Sequence, residues 1–236
     1  MSSLRVAIVG DGKMGRAIAD LARERGYTIT AVLGARENAR GSAITRDRLG
    51  DTDVVIEFTE PAAAPENILA SVNAGYAVVT GTTGWADQLE RVARVVTDSH
   101  GALVHAPNFS VGVNLFLALA AAAGRTMRRA PQFDAHVVET HHAAKKDAPS
   151  GTAVALERAA SSGLGRSIPI TSVRTGHVPG THELSFDGPF EQIRLTHLAR
   201  DRRVFADGAL HAADWVRGRH GVFTMRDVLD LGTETA

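Results

Sequence analysis

The sequence predicts an α/β protein of two domains, the first built on a parallel sheet and the second, smaller one on an antiparallel or mixed sheet. In the first third of the 236 residues, strand-like runs alternate with helical patterns, which is typical of a parallel sheet with helices on both faces. After Pro107 this alternation ends, and from Ile170 to Phe205 strand-like runs follow one another without intervening helices. A hydrophobic content of 44% is ordinary for a globular protein.

The first domain begins with a buried-type strand over Leu4–Val9, a glycine turn, and a helix over Met14–Arg25 with apolar residues at helical spacing. Further apolar runs predict strands, with helical patterns between them. These strands are expected at 27–33, 53–58, 77–79 and 103–105, and the helices at 65–74 and 85–99. We expect this domain to span residues 1–108.

The second domain is expected over residues 109–212, with a tail of residues 213–236 that returns to the first domain. Its apolar run Val111–Ala123 predicts a buried helix, and a half-exposed strand is expected next at 135–140. Later elements are predicted as a helix at 151–160, strands at 184–186, 192–199 and 203–206, and a helix at 209–217.

Charge and composition narrow the possible functions. The 26 basic and 26 acidic residues balance, whereas a nucleic-acid-binding protein usually has a basic excess, so we expect no nucleic-acid partner. The absence of cysteine excludes disulfides and thiolate metal sites, and we predict no metal site. The strand predicted at Leu4–Val9 leaves no room for a signal peptide, and the run Val111–Ala123 is too short to cross a bilayer. We therefore expect a cytoplasmic protein that does not bind membranes.

The turn after the first strand has the spacing G-x-G-x-x-G, formed by Gly10, Gly12 and Gly15. The first glycine permits the tight turn, the second lets the backbone approach a pyrophosphate, and the third lets the helix pack on the strand. The helix N-terminus then offers free N–H groups to phosphates. A merely structural turn is the alternative, but the position after a strand in an alternating chain favours dinucleotide binding.

About 20 residues further on, dinucleotide-binding domains usually carry an acid that binds the adenosine ribose. Here Ala35 occupies the nearest position, with Arg36 beside it. A guanidinium there suits a 2′-phosphate, although Arg36 fits equally well as a solvated loop residue. The loop Gly81–Gly84 follows a strand at the sheet edge where ligands bind, yet its spacing alone is equally typical of an ordinary turn.

The segment Glu139–Thr152 carries the densest chemistry of the sequence. Two adjacent histidines and two lysines precede a predicted helix start at Ser150-Gly151-Thr152. Cations beside free backbone N–H groups form a natural carboxylate site, and histidine or lysine can also donate a proton. The alternative is a charged, solvated loop, which the adjoining helix start makes less favoured.

Seven sequence motifs, taken together and in their order along the chain, resemble those of the 4-hydroxy-tetrahydrodipicolinate reductase family, formerly called dihydrodipicolinate reductase. The resemblance spans nearly the whole chain, and the string E-x-H-H-x-x-K-x-D-x-P-S-G-T is its most specific part. The motifs are GDGKMG (10–15), EFT (57–59), GTTG (81–84), APNFSVGVN (106–114), ETHHAAKKDAPSGTA (139–153), GTHELSF (180–186) and RVFADGALHAADW (203–215).

The resemblance implies a Rossmann dinucleotide-binding domain and a smaller α/β domain whose open mixed sheet assembles a homotetramer. It also implies which residues form the sites. Catalysis falls to His141 and Lys145, and substrate binding to His142, Gly151 and Thr152. The cofactor positions are Gly10, Asp11, Gly12, Lys13, Met14 and Gly15 for the phosphates, and Gly81, Thr82, Thr83, Ala106, Pro107, Asn108 and Phe109 for the nicotinamide side.

The implied reaction is the NADPH- or NADH-dependent reduction of 4-hydroxy-2,3,4,5-tetrahydrodipicolinate to tetrahydrodipicolinate, a step of the diaminopimelate route to lysine. Lys145, Gly151 and Thr152 would hold one carboxylate of this small dicarboxylate substrate, which fixes the ring for hydride transfer. His141 or Lys145 would supply the proton. We expect both cofactors to be accepted with some preference for NADPH, because Arg36 can pair with a 2′-phosphate and Ala35 carries no charge to repel it.

The sequence departs from the family's usual pattern at Ala143 and Ala144, where many members carry basic residues; Lys146 offers a replacement charge. Two other functions share part of the pattern. Another Rossmann-type reductase of amino-acid metabolism would lack the His-His-x-x-Lys and Ser-Gly-Thr string. A non-catalytic dinucleotide sensor would keep the glycine turn without needing His141 and Lys145.

Overall fold

The computed structural model describes residues 3–232 and divides them into two compact units. One unit contains residues 3–111 and 203–232, and the other contains Gly112–Arg202. The second unit thus ends before the expected residue 212, because the helix that starts at Arg203 packs into the core of the first unit. Of the tail expected at 213–236, residues 233–236 lie outside the described residues.

The first unit contains a six-stranded sheet in which every described strand pair is parallel. The strands are β1 (Arg5–Val9), β2 (Thr28–Leu33), β3 (Val54–Glu57), β4 (Ala77–Thr80), β5 (Ala102–His105) and β10 (Gly221–Phe223). Their order in the sheet is β10-β5-β4-β3-β1-β2, so the loops after β1, β2 and β3 emerge side by side at the carboxyl edge. The predicted Rossmann-like parallel sheet is confirmed.

Helices cover both faces of this sheet, and the central strands are therefore buried on both sides. The helices are α1 (Lys13–Glu24), α2 (Arg46–Leu49), α3 (Ala64–Asn73), α4 (Leu89–Asp98), α7 (Arg203–Val216) and α8 (Met225–Val228), with 3₁₀ turns at Ala39–Gly41 and Ala86–Gln88. Strand β10 pairs with β5, so the C-terminal segment extends the sheet.

The strand expected at 203–206 is wrong, since these residues form the first turn of α7. Four letters of the type R-V-F-A fit a strand and a helix equally well. The pattern over a longer stretch distinguishes the two, because the buried residues recur at helical spacing. Ala206, Ala209, Leu210 and Ala213 form one buried stripe of the helix in the core of the first unit.

The second unit contains a mixed sheet of four strands, β6 (Asp134–His141), β7 (Ile170–Arg174), β8 (Thr181–Asp187) and β9 (Gln192–Leu198). Their order in the sheet is β7-β6-β8-β9. Strand β6 pairs parallel with β7 and antiparallel with β8, which pairs antiparallel with β9. The expected mixed sheet of the second domain is therefore confirmed.

Two helices, α5 (Val111–Met127) and α6 (Gly151–Leu164), pack together with one face of this sheet. They approach so closely that a Cβ atom on Gly124 of α5 would lie 2.1 Å from the Ala160 carbonyl oxygen of α6. The helix expected to be buried at Val111–Ala123 is only partly so, because Leu115 and Leu119 are 42% and 58% exposed. Among residues 3–232, no helix has the length and apolar character that a membrane span requires.

Candidate active site

The glycine turn of the first unit is shaped by backbone packing. Gly10 has a φ of 112°, and a Cβ atom there would lie 2.0 Å from the Phe58 carbonyl oxygen. A Cβ atom on Gly15 would lie 1.7 Å from the Gly10 carbonyl oxygen, so α1 can pack on β1 only with glycine at this position. Around Gly12, by contrast, the space within 4 Å of such an atom is open.

The start of α1 is suited to a phosphate. Its N-cap residue is Gly12, whose backbone is extended and which offers no side-chain cap to the first N–H groups. The first turn carries no acidic side chain, and Lys13 is exposed. Open space at Gly12, free helix donors and a neighbouring lysine fit a dinucleotide pyrophosphate.

A cavity of about 400 Å³ extends from this turn to the end of β2. Its lining includes Gly10, Asp11 and Gly12 from the turn, and Gly34 and Ala35 from the segment after β2. Arg40 from the following 3₁₀ turn also lines it. Arg36 is exposed and is not among the described residues that line this cavity.

The loop after β4 belongs to the same edge of the sheet. Gly81, Thr82 and Thr83 line a cavity of about 370 Å³ together with Gly12, Lys13 and Met14. The Thr59 backbone N–H donates to Thr82 Oγ1 at 2.7 Å, which ties the loops after β3 and β4 together. The structure thus brings the GTTG loop and the glycine turn to one cavity, an arrangement that an ordinary turn would not require.

The segment after β5 contributes to a smaller cavity. Ala106 and Pro107 line a space of about 230 Å³ with Thr82 and Thr83. Asn108 Oδ1 accepts a hydrogen bond from the Ser110 N–H at 2.9 Å. The Phe109 side chain is buried in the core and its ring lies 5.8 Å from that of Phe58, so Phe109 supports this edge from below.

The second unit is organised around a fully buried carboxylate, Glu139 on β6. The Arg174 guanidinium on β7 holds both of its oxygens, with Nη1 3.0 Å from Oε2 and Nη2 2.7 Å from Oε1. Burial alone would raise the pKa of Glu139, but the hydrogen bonds from Arg174, Ser172 and His141 lower it to about 2. Glu139 is therefore ionised at neutral pH.

Strand register places His141 beside this ion pair. His141 follows Glu139 by two residues on β6 and faces Arg174 across the parallel pairing, so all three side chains share one face of the sheet. His141 Nδ1 is hydrogen-bonded to Glu139 Oε2. An ionised carboxylate can only accept, so Nδ1 donates and Nε2 is the atom available for a proton exchange.

His141 is buried, with 8% of its surface exposed. A Cβ atom on Gly180 would lie only 3.0 Å from His141 Nε2, so a larger residue at position 180 would crowd this nitrogen. Burial lowers the pKa of His141 below its ordinary value, with Lys145 and Arg174 acting in the same direction, while the bond to Glu139 raises it in part.

The other loop residues surround this centre. Lys145 Nζ contacts both oxygens of Asp147, at 2.8 and 2.9 Å, and the hydrogen bond lowers the pKa of Asp147. The half-buried His142 is held through its backbone N–H, which donates to the Val178 carbonyl at 2.8 Å. Arg174 also donates to the Asp147 carbonyl, which links this loop to the Glu139 ion pair.

Helix α6 begins next to the same carboxylate. The Ser150 N–H donates to Glu139 Oε1 at 3.2 Å, and the Ser150 hydroxyl caps the helix by accepting from the Ala153 N–H. No acidic side chain lies in the first turn, and a Cβ atom on Gly151 would meet open space. The helix start at Gly151 and Thr152 can therefore receive an anion.

His182 on β8 completes the cluster. It faces Glu139 across the antiparallel pairing, its ring centroid lies 5.1 Å from that of His141, and its Nε2 lies 3.2 Å from Ser150 Oγ. Burial, reinforced by His141, lowers the pKa of His182 to about 4, so this ring is neutral at neutral pH.

Glu139, His141 and His182 could each offer a ligand atom to a metal ion, since these atoms lie within 4.8 Å of one another. The Arg174 guanidinium, however, already occupies both carboxylate oxygens and supplies the positive charge that a cation would bring. The hydrogen-bonded arrangement therefore suits proton transfer better than it suits a metal ion.

Glu139, Arg174 and His182 are site residues that the sequence alone did not predict. Glu139 opens the quoted loop motif, and its spacing of two from His141 on a predicted strand is a signal that both share a face. Strand pairing brings Arg174 and His182 to the site, although they lie 35 and 43 residues after Glu139 in the sequence (174 − 139 and 182 − 139). A local sequence pattern cannot predict contacts over such distances.

Comparisons with known proteins show the family of the chain. Family models described as dihydrodipicolinate reductase match residues 4–109 (N-terminus) and 112–229 (C-terminus). The chain is 37% identical to a 4-hydroxy-tetrahydrodipicolinate reductase from Rhodopseudomonas palustris (strain BisA53), covering 98% of both chains, and 35% identical to one from Afipia carboxidovorans, covering 100% of both.

A solved structure has the same fold. It is a dipicolinate-bound dihydrodipicolinate reductase from Paenisporosarcina sp. TG-14, with a TM-score of 0.82, 22% identity, and coverage of 94% of this chain and 98% of that chain. Since the two family models together match both units and the relatives are similar over their full length, the chain belongs to the dihydrodipicolinate reductase family.

Proposed function

We propose that the chain reduces 4-hydroxy-2,3,4,5-tetrahydrodipicolinate to tetrahydrodipicolinate with NADH or NADPH, and that His141 and Lys145 carry the chemistry in the second unit. Water is lost from the 4-hydroxyl, and one proton is consumed. The observation that carries this assignment is the orientation of His141, whose Nδ1 is held by Glu139, so that Nε2 beside Gly180 is the ring nitrogen left for proton exchange.

The cofactor would be held by the first unit. Gly10–Gly15 and the N-terminus of α1 receive the phosphates, and Gly81–Thr83 with Ala106 and Pro107 form the nicotinamide side. When bound, the nicotinamide supplies the hydride. The chain's contribution is to hold and orient the dinucleotide. The open space at the glycine turn lets the phosphates approach the backbone closely.

The substrate carboxylate would be held by Lys145 and by the start of α6 at Gly151 and Thr152. The contact between Lys145 and Asp147 supports this role, since the ammonium is already placed to meet two carboxylate oxygens. A substrate carboxylate would replace Asp147 as the partner of Lys145. His142, half-buried in the same loop, is the further substrate-binding residue.

His141 is the better placed of the two candidate proton donors. Glu139 fixes its tautomer and stabilises its protonated form, as a carboxylate does for a catalytic imidazole. Lys145 is occupied with a carboxylate contact, so we assign it to substrate binding and orientation first.

An absorbance assay tests the function. The substrate is prepared freshly, because it is a reactive cyclic imine, and oxidation of the reduced cofactor is followed with and without it. The proposal expects oxidation that depends on this substrate. A different Rossmann-type reductase would instead oxidise the cofactor with another substrate, and a non-catalytic sensor would bind the dinucleotide without turnover.

We also propose that the chain assembles as a homotetramer through the second unit. The support is a row of residues across its sheet, Val173–Thr140–Thr181–Leu198, which lies on the face opposite the core residues Leu184 and Phe186. Val173 and Leu198 in this row are 37% and 59% exposed. The cytoplasmic location, and the absence of nucleic-acid and membrane partners, stay predictions.

A further inference from the structure

The side chain of Asp11 occupies a position that the glycine turn does not require. Its carboxylate lies against Gly34, the first residue after β2: a Cβ atom on Gly34 would be 2.8 Å from Asp11 Oδ2 and 3.0 Å from Asp11 Cγ. The Asp11 backbone carbonyl accepts from Arg16 Nε at 2.8 Å, which anchors the residue at the start of α1. Asp11 thus reaches from one loop of the sheet edge to the next.

The end of β2 is where a dinucleotide-binding domain usually presents an acid to the adenosine ribose. In this chain Gly34 and Ala35 follow β2, so that position carries no carboxylate of its own. The glycine at residue 34 leaves the room that the Asp11 carboxylate fills. Both Asp11 and Gly34 line the cavity of about 400 Å³ next to the phosphate-binding turn.

The charge around the Asp11 carboxylate affects which of the two dinucleotides, NADH or NADPH, can bind. Within residues 3–232, no hydrogen bond or ion pair is formed by the Asp11 carboxylate, so its acceptor capacity is free for a ligand. Two hydroxyls of an adenosine ribose can donate to it, whereas a 2′-phosphate would place two negative groups in contact. Arg40, which lines the same cavity, is the cation that would offset such repulsion in part.

We propose that Asp11 binds the ribose hydroxyls of the cofactor in place of the missing acid after β2, and that it makes the chain select NADH over NADPH. This reverses the preference expected from Arg36 alone. This inference rests on the proposed function, in which the chain binds a reduced dinucleotide. It adds the residue that sets the choice between NADH and NADPH.

The test is the dissociation constant of each reduced dinucleotide, measured by isothermal titration calorimetry without substrate. The wild type is compared with Asp11→Asn and Asp11→Ala, and with Asp20→Asn as the matched control. Asp20 is an exposed acid on α1 that pairs with Arg23 and does not line the cavity. Circular dichroism and thermal unfolding verify that each variant is folded.

We expect the wild type to bind NADH more tightly than NADPH. Asp11→Ala should weaken NADH binding by about tenfold, the effect of one hydrogen bond to a charged group. Asp11→Asn should tighten NADPH binding, so that the ratio of the two constants shifts towards NADPH by about tenfold or more. Asp20→Asn should leave both constants unchanged.

An unchanged ratio in both Asp11 variants, with normal binding of both dinucleotides, would overturn the role of Asp11 and leave the proposed function intact. A wild-type preference for NADPH that Arg36→Ala abolishes would overturn it in favour of the arginine. If folded wild type binds neither dinucleotide, the proposed function fails together with this inference.

Discussion

The residue that organises the candidate catalytic centre is Glu139, because three of the residues around it bind its carboxylate. Its carboxylate receives the Arg174 guanidinium, the His141 ring and the Ser150 backbone N–H. Removing one partner of a buried ion pair is costly, whereas the intact pair adds little net stability. We therefore interpret the pair as a device that fixes the orientation and charge of His141.

The pH dependence of catalysis tests this interpretation. Burial lowers the pKa of His141, and Glu139 opposes that effect, so Glu139→Gln should lower the pKa of His141 further. If protonated His141 donates the proton, kcat/KM declines as the pH rises through this pKa. The declining limb should therefore move to lower pH in Glu139→Gln.

The matched control is Glu183→Gln, which makes the same chemical change on β8 at a partly exposed carboxylate that contacts Thr196. Its pH profile should match that of the wild type. A declining limb that stays in place in Glu139→Gln would mean that Glu139 does not act through His141.

His182 makes a separate prediction about stability. Burial lowers its pKa to about 4, while the unfolded chain has a histidine pKa of about 6.5. Between these pH values the unfolded state binds more protons than the folded state. The contribution of neutral His182 to the free energy of unfolding is therefore fully present above pH 6.5 and is lost as the pH falls towards 4. Between pH 7.5 and pH 5 the loss from this residue should be about 2 kcal/mol.

Urea unfolding at the two pH values measures this effect. The variant His182→Asn should lose about 2 kcal/mol less than the wild type over the same interval, because the titrating group is gone. The same pH dependence in both proteins would show that His182 is not held neutral by the fold.

At the scale of elements, the sequence predicted what depends on local pattern. The strand and helix periodicities located β1, α1, β6 and the start of α6 closely, and the glycine spacing predicted the turn between β1 and α1. The contacts of Glu139 with Arg174 and His182 were not predicted, because they depend on which strands pair and in which register. The misassigned segment 203–206 shows the same limit, since only packing distinguishes its helix from a strand.

The contact between α5 and α6 supports the loop that ends at α6. Gly124→Ala would place a methyl group 2.1 Å from the Ala160 carbonyl oxygen, so the helices must separate. We expect a loss of about 1–3 kcal/mol in the free energy of unfolding, as for other overpacked cores.

Gly151→Ala is the control for this substitution, because it adds the same methyl group to a helical glycine of the same unit in open space. Its stability in urea should be unchanged or raised by up to about 1 kcal/mol. Equal stability of the two variants would contradict the close packing of α5 on α6.

At the scale of the whole molecule, the open face of the second unit's sheet predicts assembly. Light scattering at micromolar concentration should give the mass of a tetramer for the wild type. The double variant Val173→Lys with Leu198→Lys should give a smaller species, because it places charges on that face. A wild type that scatters as a monomer would contradict the tetramer.

Steady-state kinetics of His141→Gln and Lys145→Ala show whether the loop between β6 and α6 is the catalytic loop. His141→Gln should lower kcat by about 10²–10⁴-fold with dinucleotide binding unchanged, because a proton-transfer group is lost. Lys145→Ala should lower kcat and raise KM, because charge and substrate orientation are lost together. Values of kcat/KM close to the wild type in both folded variants would place the chemistry elsewhere in the chain.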